Sequence, residues 1–230
     1  MYKNEVFKTQ NAQIVADIKY PRFSYSGGKS KKIDRLCKNM NDYYLKTVQV
    51  LCEKAKKILS DKGANERSKI EMNYKLSLVN EKIISVILDI SFENKKGVRK
   101  KRFSQNWSVK DGTVMPACFV MKMTLGTRKK VLSFVFEMAK QNSKNSAFGY
   151  YADFISRLRR SFSLKRFFVT PKGVAFYVDA GVLSDVKQGS FAFVVPYEKL
   201  GDFLKKGIMD ELCKEENVVG DENNEEICTK

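Results

Sequence analysis

Six cations crowd eight consecutive positions of this chain: Lys95, Lys96, Arg99, Lys100, Lys101 and Arg102. Such a run can grip phosphate, sulfate or carboxylate groups along a polymer, since each side chain brings a positive charge and hydrogen-bond donors. Phe103 and Trp107 follow directly and offer rings for stacking. Alternation supplies the opposite reading of the same residues. Phe103, Trp107 and Val109 fall on one apolar face, while Lys100, Arg102, Ser104 and Asn106 fall on the other, which leaves the cations at a solvated hairpin tip. A second basic group, Arg157, Arg159 and Arg160, gathers with Lys165 and Arg166 at an expected helix end, where cations complement the helix dipole.

Signals for catalysis are thin. There is no histidine, so the usual general base at neutral pH and the commonest metal ligand are both missing. Asp89, Glu93, Asp153 and Asp179 carry carboxylates of the kind that work in pairs, but nothing in their spacing brings two together. Cys118 lies in the apolar run Val114–Met121 and reads as a core residue. Gly27-Gly28-Lys29-Ser30 has the setting of a phosphate-binding loop, but the pattern needs a glycine at the position of Phe23. A plain strand-to-helix loop is the expectation there. The five cysteines (Cys37, Cys52, Cys118, Cys213 and Cys228) show no paired spacing, so reduced thiols and a cytoplasmic home are expected. No metal, no cofactor and no catalytic role are expected.

The elements that position these residues follow from periodicity. Residues 12–20 alternate as a strand that ends at Pro21. Ile33, Cys37, Met40, Tyr44, Val48, Leu51, Ala55 and Ile58 recur at helical spacing, with Ser30 as N-cap and Gly63 as stop. Met72–Asn80 and Lys82–Glu93 read as consecutive strands. In the second, Ile84, Val86, Leu88, Ile90 and Phe92 form the core face, and Ser85, Asp89 and Ser91 the polar one. Val98–Val109 completes a hairpin across Asn94–Gly97. Thr127–Gln141 and Ala147–Ser161 read as helices. The strands Arg166–Val169, Val174–Asp179 and Ser190–Pro196 follow, each with one core face. A helix from Tyr197 to Lys206, running on toward Cys213, closes the series. The fold class is therefore α+β: an antiparallel sheet packed with a long N-terminal helix, and further helices before the C-terminal strands.

Charge sharpens the picture. The net charge is +17, but Asp210–Lys230 holds eight acidic residues against two lysines, a local −6, so residues 1–209 carry +23. A body this basic attracts polyanions. Residues 207–230 read as an acidic, disordered tail able to fold back on it. No window approaches the roughly 18 apolar residues of a membrane span.

Phe167-Phe168-Val169-Thr170-Pro171-Lys172-Gly173-Val174, Phe176-Tyr177-Val178, and Gly189 ahead of Val194-Val195-Pro196-Tyr197-Glu198-Lys199-Leu200 resemble a bacterial module. It occurs in RsiV-type anti-sigma factors and before the catalytic domain of PdaC-type peptidoglycan deacetylases. Tyr20-Pro21 before a long helix, and Val79-Asn80-Glu81-Lys82-Ile83-Ile84-Ser85-Val86 before a hairpin, are similar to its N-terminal part. The resemblance implies two modules, residues 12–125 and 126–206, in one compact unit. It also implies recognition, not chemistry: RsiV binds lysozyme, and the chemistry of PdaC belongs to a separate domain. Lysozyme is cationic and would be repelled by this chain. The expected function is thus a non-enzymatic binding module for an anionic polymer or an acidic protein. Alternatives are a cytoplasmic nucleic-acid-binding protein and a cell-wall-related hydrolase.

Overall fold

The computed structural model describes residues 1–8, 13–25, 30–60 and 67–208. A six-stranded sheet is built in chain order from β1 (Tyr2–Lys8), β2 (Gln13–Lys19), β3 (Arg67–Val79), β4 (Ile83–Asn94), β5 (Gly97–Ser108) and β6 (Thr113–Val114). The connection from β2 to β3 is the long helix α1 (Lys31–Ser60), so these two strands run parallel while every other pair is antiparallel. Neither β1 nor the parallel pairing is expected from the sequence. A parallel connection needs a crossover of a dozen residues or more, and α1 supplies it.

α1 forms because an apolar stripe coincides with suitable ends. The Ser30 hydroxyl accepts from the amide of Ile33, Asp34 lies in the first turn and Lys57 in the last. Its buried positions are Leu36, Met40, Tyr44, Val48, Cys52 and Ala55. The stripe is thus turned slightly from the expected one, with Leu36 and Cys52 deeper than Cys37 and Leu51. It packs on Ile14, Ala16 and Ile18 of β2, Ile70 and Met72 of β3, and Val86 and Leu88 of β4. Along its first half, the Trp107 indole donates to the Tyr44 hydroxyl over 3.1 Å, and Asn39 Nδ2 donates to the carbonyl of Gly112.

The opposite face of this sheet is covered too, by a second sheet of β7 (Phe167–Thr170), β8 (Gly173–Val178) and β9 (Phe191–Pro196). Phe168, Ala175 and Tyr177 meet Ile87 between the sheets. Phe167, Val169, Val174, Phe176, Phe193 and Val195 point the other way, into a core shared with the helices α3 (Leu125–Ser143) and α4 (Phe154–Ser161). The order of layers is helix, large sheet, small sheet, helices. β8 is consequently buried on both faces, not one as alternation suggests, and so is the first half of β4, where Ser85 is buried. Gly173 begins β8 where β9 crosses closely. A Cβ there would lie 2.2 Å from the carbonyl oxygen of Val195.

Three further expectations need correction. The helix expected over Ala147–Ser161 starts only at Phe154, because Asn145 caps a single 3-10 turn that Gly149 ends in the left-handed region at φ 53°. The last helix is the single turn α5 (Tyr197–Leu200), ended by Gly201 at φ 36° and a 3-10 turn. Cys118, expected in the core, is exposed on α2 (Ala117–Val120). The Gly27-Gly28-Lys29 loop, the Gly63 stop and the tail from residue 209 onward lie outside the described residues.

Candidate binding cleft between the sheets

Register brings together residues far apart in the sequence. On the face of the large sheet turned toward the small one, Ser85 lies opposite Asn106, Ile87 opposite Ser104, Asp89 opposite Arg102 and Ser91 opposite Lys100. From β3, Asn73 stands beside Asp89, and Glu71 beside Ser91. The small sheet covers the Ser85 and Ile87 rows. It stops short of the Asp89 and Ser91 rows, which line a cleft of about 230 Å³ closed at one edge by Gly189 and Ser190.

Along this face the chemistry runs from dry to wet. At the covered end the Ser77 hydroxyl donates to that of Ser85 at 2.8 Å, and Ser85 donates to Asn106 Oδ1 at 2.7 Å. The same oxygen accepts the amide of Val169 at 3.2 Å, which ties the two sheets together. One row on, Ser104 donates to the carbonyl of Phe167 and also reaches the Tyr177 hydroxyl at 3.4 Å. Burial pushes the Tyr177 phenol up, and Ser104 partly offsets this. Asp179, Arg166 and Arg102 act on the same hydroxyl more weakly, and Arg166 Nη1 pairs with Asp179 Oδ2 at 3.1 Å.

In the open rows the groups are charged. Arg102 Nε and Nη2 donate to the two oxygens of Asp89, both at 2.8 Å, a bidentate fork that fixes the guanidinium across the strands. Lys69 pairs with Glu71, and Ser91 donates to Glu71 Oε2 at 3.1 Å. The hydrogen bond from Lys69 holds the Glu71 carboxyl below the ordinary carboxylate range, against a smaller opposing effect of burial. Lys100 Nζ reaches across to the carbonyl of Lys187 at 3.4 Å. That contact is long, so the ammonium keeps most of its donor capacity for a ligand. Lys100 and Arg102 face Glu71 and Asp89 there, and Lys101 on the border adds a positive charge beside the lining.

The structure divides the basic run of residues 95–102. Lys100 and Arg102 face the cleft side, with Lys101 on its border. Lys95 and Lys96 occupy the hairpin turn, where Asn94 Oδ1 accepts the amide of Lys96. Arg99 belongs by alternation to the α1 side and is exposed. So does Phe103, which is 46% exposed because α1 covers this face at Trp107 and not four residues earlier. Its assignment to the apolar face is right, and its burial is not. Arg157, Arg159 and Arg160 sit in another layer, on α4. Arg157 pairs with Asp153 at 2.7 Å and lies 4.4 Å over the Tyr151 ring, while Arg159 lies over Phe136. Of the four carboxylates singled out in the sequence, Asp89, Asp153 and Asp179 each pair with a different arginine in a different part of the fold, and Glu93 is exposed near the end of β4. Glu71, the carboxylate that does share a cleft with Asp89, precedes the expected start of its strand and carries no sequence signal of its own. No group of three or more metal-ligating side chains comes together among the described residues.

No protein-family model and no curated protein matches the chain. Among solved structures it is similar to a DUF3298-family member from Bacteroides fragilis. The TM-score is 0.66 at 12% identity, over 93% of this chain and 95% of that one. It is also similar to a DUF3298-family protein from Pseudomonas aeruginosa, with TM-score 0.55 at 10% identity, over 90% and 93% of the two chains. At such identities the likeness is one of fold, and it extends over nearly the whole of both chains: the architecture is that of a domain whose function is uncharacterised.

Proposed function

We propose that this chain is a non-enzymatic recognition module of the RsiV and PdaC kind, which takes an anionic polymer or an acidic protein at the open end of the inter-sheet face. One observation carries the reading. Lys100 and Arg102 face a cleft that Lys101 borders and that Gly189 and Ser190 close at its far edge, and the chain around it has an overall charge of +17. The long-range field draws a polyanion in, and the fork on Asp89 keeps Arg102 oriented without consuming the neighbouring lysine. Lys95 and Lys96 in the adjoining turn would extend the grip along a polymer.

Phe103 supports a second reading. An exposed ring beside Arg99 and Lys101 is the pairing that single-stranded nucleic acid uses for stacking and backbone contact. A single experiment separates the two. The protein and its Lys100→Glu/Lys101→Glu variant are applied at low salt to immobilised poly(glycerol phosphate), polyglutamate and single-stranded DNA. The proposal expects retention on the first or second and earlier elution of the variant. Retention on DNA alone, lost in Phe103→Ala, would establish the second reading. No retention on any of them would end both.

A further inference from the structure

The segment joining β6 to α3 carries side chains that neither the cleft nor the cores use. In the single turn of α2, Ala117 and Val120 are buried, while Cys118 and Phe119 face outward. Phe119 is 63% exposed and Leu125 78%, and Val114 and Met123 are exposed with them. The backbone beneath is well anchored. The amide of Lys122 donates to the carbonyl of Phe203 at 2.8 Å, the amide of Lys205 donates to that of Val120 at 3.0 Å, and Thr124 caps α3. These apolar groups are therefore held outward by a fixed frame on one short segment, and large apolar side chains exposed together mark an interaction site.

The charge around the patch indicates what meets it. Lys122 lies within it, Lys129 follows one turn after Leu125 on the same side of α3, and the Val120–Lys205 bond brings Lys205 and Lys206 alongside. Asp202 is the carboxylate in the adjoining 3-10 turn. A second copy of a chain with charge +17 would be repelled from so basic a rim. An apolar tip ringed by lysines instead matches an anionic bilayer, where large apolar side chains enter the headgroup boundary and ammonium groups meet lipid phosphates. We infer that the Val114–Leu125 tip docks on an anionic lipid surface, with Phe119, Met123 and Leu125 inserted. No described helix is long and apolar enough to cross a membrane, and surface docking requires none. Six residues of β5, roughly 20 Å, separate Arg102 in the cleft from Ser108 at this end, so a docked molecule keeps its cleft in solution.

Co-sedimentation with vesicles tests this independently of any cleft ligand. Vesicles of phosphatidylcholine containing phosphatidylglycerol are compared with pure phosphatidylcholine. Binding is expected only to the former, and Phe119→Ser/Leu125→Ser should weaken it by about tenfold or more. Because both side chains are exposed, the variant should keep the wild-type melting temperature. An environment-sensitive dye on Cys118, in a Cys37→Ser/Cys213→Ser/Cys228→Ser background that leaves only the buried Cys52 besides it, should shift to the blue on the anionic vesicles alone. Equal binding of the wild type and Phe119→Ser/Leu125→Ser would reduce the contact to unspecific charge and overturn the inference. So would a dimer, seen by analytical ultracentrifugation without lipid, that this variant dissolves.

Discussion

The covered and open ends of one inter-sheet face are built on the same three strands and the same register, yet they use polar groups in opposite ways. At the covered end, Ser77, Ser85 and Asn106 form a neutral network whose hydroxyls are spent within it and which fastens β7 to the large sheet. At the open end, two rows further along, the groups are charged, half-exposed and paired so that some capacity remains. Dielectric environment accounts for the difference. A buried charge costs several kcal/mol unless fully compensated, so ions occur only where the small sheet has stopped. Buried hydroxyls and amides need only be satisfied. Structure is thus concentrated at one end, and the other is where the proposed recognition would act.

Substitutions should separate the two ends, and the largest contrast is on the opposite face of β5. Trp107 and Phe103 share that face, four residues apart. Trp107→Ala should cost about 3–5 kcal/mol in urea denaturation, through a cavity under Tyr44 and an orphaned hydroxyl. Phe103→Ala should cost less than about 1 kcal/mol. Comparable losses would mean that α1 covers Phe103 as well as Trp107.

On the inter-sheet face, Asn106→Leu should cost about 2–3 kcal/mol, because the amide of Val169 and the hydroxyl of Ser85 lose their shared acceptor in a buried site. Removing both charges of the open row, in Asp89→Asn/Arg102→Gln, should stay within about 1 kcal/mol. Equal costs would mean that the two ends of the face contribute alike to stability.

The smallest effect is that of pH. The Glu71 carboxyl is held below its ordinary range, so its pairing contributes above the unfolded value of about 4.3 and fades as pH falls through the lower folded value. The side chain is 38% exposed, so the contribution after screening should be below about 0.5 kcal/mol. Glu71→Gln should be slightly less stable than the wild type at pH 7 and indistinguishable from it at about pH 3. A difference that grows toward acid would reverse the sign.

Much of the local structure was legible in the sequence. Alternation correctly divided β5 between Lys100, Arg102, Ser104 and Asn106 on one face and Phe103 and Trp107 on the other. It failed where a second layer intervened. Ser85 reads as solvent-facing because a single strand cannot reveal that another sheet will cover its polar side. Cys118 reads as core because its neighbours are apolar, although a one-turn helix turns only Ala117 and Val120, three apart, inward and leaves Cys118 and Phe119 outside. The cleft was half legible. Its cations were visible as a run, while Glu71, Asn73, Gly189 and Ser190 join them only through strand register and a distant loop.

The most direct test of the account is the salt dependence of affinity for poly(glycerol phosphate), measured by titration calorimetry on three proteins. These are the wild type, Lys100→Glu/Lys101→Glu at the cleft, and Arg159→Glu/Arg160→Glu on α4. The cleft variant should lose about tenfold or more in affinity, with the slope of log Kd against log salt reduced by about one per lysine. The α4 variant should stay within about threefold of the wild type. Equal losses in both variants would show that the polymer responds to net charge alone, and the cleft would not be the site.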